Sequence, residues 1–129
     1  MAHEPMFDPD DPLLARIREI ALALPEAAEK VSHGRPAFHT VKVFVYYGGS
    51  IKVDGSWEQH PQSVLLYADL LGQTQLRSRP DSFIPGYLGG SGWTGLDLGP
   101  ATDYHEIADL IEESYRLTAP KRLLRALDD

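Results

Sequence analysis

The sequence predicts an α+β fold: a two-layer sandwich with an antiparallel sheet covered by helices, in the order α, three or more strands, α, two strands, α. Three observations lead there. Apolar residues recur at helical spacing near both ends of the chain, β-branched and aromatic segments lie between them, and glycine pairs punctuate those segments as hairpin turns would. With 129 residues, 43% of them apolar and 24% charged, the chain can bury one substantial core. We therefore expect a single domain over residues 11–129. A flexible arm is expected over residues 1–10, which are polar, proline-punctuated and without periodicity.

The first helix is predicted to begin at Asp11, whose carboxylate suits an N-cap, with Pro12 at the first helical position. Leu13, Leu14, Ile17, Ile20, Ala21 and Leu24 give it one apolar face, and Pro25 stops it. Extended segments are then expected at 30–33, 37–40, 43–47, 50–53 and 63–69, with Gly48-Gly49 and Asp54-Gly55 as hairpin turns. A short helix is expected over 70–79, ending before Pro80, and strands around 82–85 and 93–98 flank a glycine-rich loop. The last long helix starts at Thr102 or Asp103, with Glu106 spaced to reach back as in a capping box. Ile107, Leu110, Ile111, Ser114 and Leu117 form its inner stripe, and Ala119-Pro120 separates it from a short terminal helix over 121–127.

Composition narrows function by exclusion. The absence of cysteine removes disulfides, thiol nucleophiles and zinc-thiolate sites, and makes a reducing compartment the expected one. Acids and prolines occupy the amino terminus where a signal peptide carries basic and then apolar residues, so a cytoplasmic location without membrane insertion is expected. A formal net charge of -7 opposes sequence-independent attraction to DNA unless cations are segregated. Residues 30–53 show such segregation: Lys30, Arg35, Lys42 and Lys52 with no acid among them. A second basic cluster, Arg116, Lys121, Arg122 and Arg125, also fits the dipole at a helix carboxyl end.

Four segments carry a resemblance to a known family. They are residues 22–26 (Leu-Ala-Leu-Pro-Glu), 33–38 (His-Gly-Arg-Pro-Ala-Phe), 85–96, from Pro85 through Tyr87 and Trp93 to Leu96, and 114–121. In this order they resemble the MmcQ/YjbR family, with Gly86 standing where a second proline is expected. The resemblance implies the α-β-α-β-α order, a small non-enzymatic domain with no agreed cofactor, and DNA binding. On that implication Lys30, Arg35, Lys42 and Lys52 are the candidate phosphate contacts of a weak, salt-sensitive DNA interface.

Other motifs point less far. Gly90, Gly92 and Gly95 match the dinucleotide-binding G-x-G-x-x-G spacing, but a strand follows where that fingerprint needs a helix. Ser91 lacks the second glycine of a nucleophile elbow, because Trp93 stands there. His33, His39, His60 and His105 show no ligand spacing, so no metal, cofactor or catalytic residue is assigned. Tyr87 and Trp93 bracket Gly89, Gly90 and Gly92, either as a stacking platform beside open backbone N–H groups or as plugs at a core edge. Trp57 is expected in a loop, as a surface contact. Asp103, Glu106, Asp109 and Glu113 read as a solvated helix face. The leading expectation is a non-catalytic binding module. The alternatives are a small-ligand domain or unrecognised enzyme using the loop from Gly86 to Gly95, and a protein-interaction or dimerisation module, monomer or homodimer.

Overall fold

The computed structural model describes residues 7–129. Most of the arm expected over residues 1–10 lies outside the described residues; within the remainder Phe7 packs against the core and the Asp8 carbonyl accepts from the Asp11 N–H. Helix α1 spans Pro12–Leu22. Strands β1 (Ala28–Ser32), β2 (Arg35–His39), β3 (Val43–Val53) and β4 (Ser56–Tyr67) follow, then α2 (Leu70–Arg77) and β5 (Ser82–Phe83). A 3-10 turn at Leu88–Ser91 leads into β6 (Trp93–Asp97), and α3 (Tyr104–Thr118) and α4 (Lys121–Asp128) close the chain. The six strands form one antiparallel sheet in the order β1-β2-β3-β4-β6-β5. Among the described residues no helix is long and apolar enough to cross a membrane.

The helices cover one face of the sheet, as expected. Leu14 and Ile17 of α1, Ile107, Ile111 and Tyr115 of α3, and Leu123 of α4 pack with Phe38, Phe44, Tyr47, Val64, Leu66 and Leu96 of the strands. Polar groups stitch these layers together. Asp11 caps α1 by accepting from the Leu13 N–H at 2.9 Å, and its other carboxylate oxygen accepts from the Tyr47 hydroxyl. Burial first, and the Asp11 contact second, keep that phenol protonated far above its ordinary range. Ser114 is fully buried in α3; its hydroxyl donates to the Phe44 carbonyl at 2.5 Å and accepts from the Tyr67 N–H at 3.1 Å, so one side chain joins α3 to β3 and β4.

Two local expectations are corrected. Gly48-Gly49 is not a hairpin turn, because β3 runs through both residues to the turn at Asp54-Gly55. Tyr47 pairs with Val64 but Gly49 pairs with His60, so residues 61–63 of β4 lie opposite Gly48 alone. Gly48 has φ +84°, and glycine's freedom there serves a bulge in a continuous strand, a use that sequence does not separate from a turn. In α3, Asp103 accepts from the N–H groups of His105 and Glu106 as an N-cap, yet the Glu106 carboxylate turns to Arg79, leaving the capping box half built.

The bulge bends the β3–β4 hairpin over the face the helices leave free. A second apolar cluster lies there: Leu65, Phe83 and Trp93, with Tyr46, Ile51, Tyr67 and Leu88 around them. Phe83 lies flat across Gly95, where a Cβ would come within 2.2 Å of the ring. Arg77 at the end of α2 fastens the glycine-rich loop, donating to Gly89 O at 2.9 Å, Trp93 O at 3.1 Å and Thr94 Oγ1 at 3.0 Å.

Candidate functional site

Three segments converge where the hairpin bends: the His33-Gly34 turn between β1 and β2, the outer half of the β3–β4 hairpin, and the loop Pro85 to Leu88. They enclose a pocket of about 560 Å³. Gln59 and Trp57 are two residues apart on β4 and so project to the same side, toward this pocket. The loop is held to the hairpin by the Gly86 N–H, which donates to Ser50 O at 2.9 Å. A Cβ at Gly86 would approach the Trp57 ring to 2.5 Å, which explains why the proline expected at this position is absent: the indole occupies its space. Trp57 in turn lies beside Tyr87, ring centroids 5.5 Å apart, and Tyr87 stands at the mouth, 88% exposed, with φ +63°.

The chemistry of the pocket centres on Arg35. It is only 8% exposed, although its place in the acid-free basic stretch predicts a surface cation. Nη2 donates to Gln59 Oε1, and Nη1 is enclosed with no hydrogen-bond partner among the described residues. A Cβ at residue 48 would lie 2.4 Å from Nη1, so the glycine of the bulge is also what gives the guanidinium room. Desolvation pulls the Arg35 pKa below its ordinary value, while an arginine keeps its charge throughout the physiological range. Tyr46 and Leu65 form an apolar wall, and burial raises the Tyr46 phenol pKa.

The other residues singled out from sequence lie as follows. Lys30, Lys42 and Lys52 are exposed, and none forms an ion pair among the described residues. The register Lys30–Ala37–Tyr46 puts Lys30 on the pocket face of the sheet. Lys52 holds its ammonium 5.9 Å from the Trp57 ring, at the rim of the pocket. Lys42 immediately precedes β3 and Lys52 lies near its far end, so the two stand at opposite ends of that strand. In the carboxyl-terminal cluster, Arg116 pairs with Glu112 and Asp128, and Arg122 with Glu26.

Trp93 is 8% exposed and packs edge-on against Tyr46 at 5.0 Å, within the second cluster. Gly89 is buried against Ile84, Gly90 is open, and Gly92 is left-handed at φ +98°. The G-x-G-x-x-G segment runs into β6, as the sequence indicated. His60 is bonded through Nδ1 to Asp97 at 2.7 Å and stacked on Phe83 at 4.0 Å, and no three metal-ligating side chains converge among the described residues. Sequence reasoning passed over Gln59, Tyr46 and Gly48 and put Trp57 in a loop. Nothing local marks these residues, since only the bend of the hairpin brings them to Arg35.

These features define a small α+β domain with a ligand-sized pocket on the sheet face that its helices leave free. The chain belongs to the YjbR family, whose model matches residues 22–117. No curated protein matches it. Among solved structures it is similar to Deinococcus radiodurans protein DR2400, described as having a DUF419 domain. The identity is 16%, the match covers 88% of this chain and 83% of that one, and the TM-score is 0.59. At that identity the likeness is one of fold.

Proposed function

We propose that this chain is a non-catalytic binding module that holds a small molecule in the pocket between β2, the bent β3–β4 hairpin and the loop at Gly86. One observation carries the reading: the pocket combines ligand-sized volume and aromatic and aliphatic walls with a few convergent polar groups, Arg35, Gln59 and Ser50 among them. Two glycines keep it open, since side chains at 48 or 86 would enter the space of Arg35 or Trp57. A fragment library screened by thermal shift, with hits mapped by amide NMR, tests it. A true ligand at one hundred times its Kd adds about 2.7 kcal/mol of stability. Hits should move the amide signals of Gly48, Gly49 and Gly86; hits confined to other surfaces, or none, would overturn the reading.

A second reading, weak DNA binding, draws on Lys30, Lys42 and Lys52, whose ammonium groups are free of carboxylates among the described residues. With Arg35 in the pocket wall, three phosphate contacts remain, for a salt slope of about -2.7 in log-log form. Anisotropy titrations with duplex and single-stranded DNA from about 50 mM salt upward measure that slope, and no binding at the lowest salt would remove the reading. The cysteine-free sequence supports a cytoplasmic setting for either activity.

A further inference from the structure

We propose that the pocket's ligand is a small aromatic or heteroaromatic carboxylate, its carboxylate accepting from Arg35 and its ring lying against Trp57; this rests on, and deepens, the small-molecule reading. The argument starts from what the chain withholds. Arg18, Arg79, Arg116 and Arg122, all more exposed than Arg35, each pair with at least one carboxylate. Arg77, which has no acid, reaches three protein oxygens, while Arg16 and Arg125, unpaired among the described residues, are exposed to water. Arg35 has neither: one neutral amide accepts from it, and the remaining N–H groups of its guanidinium have no acceptor among the described residues. A desolvated cation without a counter-charge is costly, and a bound anion is the partner that removes the cost.

Charge and shape narrow the anion. Among the described residues Arg35 is the one Lys or Arg lining the pocket, with Lys52 outside at the rim, which fits a single carboxylate better than a polyphosphate, and the net charge of -7 opposes highly charged ligands further. A planar guanidinium presents paired donors that match the two oxygens of a carboxylate. Beside it, Trp57 and Tyr87 offer ring faces, and Leu65 and Pro85 an aliphatic surface, so a flat apolar body is the complement.

The test is isothermal titration of the full chain with matched pairs: benzoate, nicotinate and indole-3-carboxylate, each against its carboxamide. We expect at least one acid to bind about tenfold or more tightly than its amide, Arg35→Met to erase the difference, and Trp57→Ala to weaken acid and amide alike. Wild-type NMR of the Arg35 Nε–H signal gives a readout that needs no variant to fold: it should move with the acid and stay with the amide. A stationary signal overturns the proposal. Equal affinity for acid and amide overturns the carboxylate but leaves the pocket standing; tighter binding of phenyl phosphate than benzoate overturns the choice of anion. If no acid binds, the proposal fails, and the pocket reading falls with it only if neutral fragments fail as well.

Discussion

Replacing Arg35 with methionine should leave the protein as stable as before, or more so. The reasoning sets three quantities against each other. Removing the guanidinium relieves an enclosed Nη1 that has no partner, worth about 1–3 kcal/mol for a buried polar group and more for a charged one. It also gives up the bond to Gln59, worth about 1.5–3 kcal/mol for a charged donor. Methionine keeps the aliphatic stem that packs against Gly48, so little apolar contact is lost. Because the unpaired group is charged, its relief stands at about 3 kcal/mol, and the balance falls between about zero and 1.5 kcal/mol in favour of the variant. For a chain of this length about 1 kcal/mol corresponds to roughly 4 °C, so Tm should stay level or rise by up to about 6 °C. Calorimetry or urea unfolding followed by tryptophan fluorescence measures it. A loss of 3 kcal/mol or more would mean that Arg35 is a structural group, and the case for an absent anionic partner would collapse.

Three other outcomes follow from the same geometry. Gly95→Ala drives a Cβ to within 2.2 Å of the Phe83 ring, so it should cost about 1–3 kcal/mol by overpacking, read as a lower urea midpoint. Ser114→Ala leaves the Tyr67 N–H and the Phe44 carbonyl without their hydroxyl partner and should cost about 1–3 kcal/mol; a change below about 0.5 would contradict the bridging role. Asp81 is held below its ordinary pKa of 3.8 chiefly by its hydrogen bonds from Arg79, so its contribution to stability is complete above that value and disappears as pH falls through and below it. Asp81→Asn should therefore be less stable than wild type at pH 7, the gap closing below about pH 4, and a gap constant with pH would refute the linkage.

The parts of the fold that were legible in sequence are those settled by local chemistry. Asp11 and Asp103 cap helices because a carboxylate beside free N–H groups acts alone, and Pro120 separates α3 from α4 by its own geometry. Gly48-Gly49 was misleading for a physical reason: positive φ suits a hairpin and a bulge equally, and only the pairing with β4 decides which forms. The basic stretch was visible, yet the fate of Arg35 depends on Gln59, 24 residues away, and on the room left by Gly48. Likewise the carboxyl-terminal cluster reads as free positive charge until Glu26, 96 positions from Arg122, folds onto it. Leu117 shows the same limit on a helix: its spacing places it on the inner stripe, but it is about half exposed beyond the edge of the covering contacts.

A crystal structure of the chain grown with a saturating concentration of the tightest-binding of the three acids would weigh the pocket most directly. The expected result is density between Arg35 and Trp57, with a carboxylate oxygen about 3 Å from a guanidinium nitrogen and the ring against the indole of Trp57. An empty pocket under those conditions, or ligand lodged only elsewhere on the chain, would contradict it.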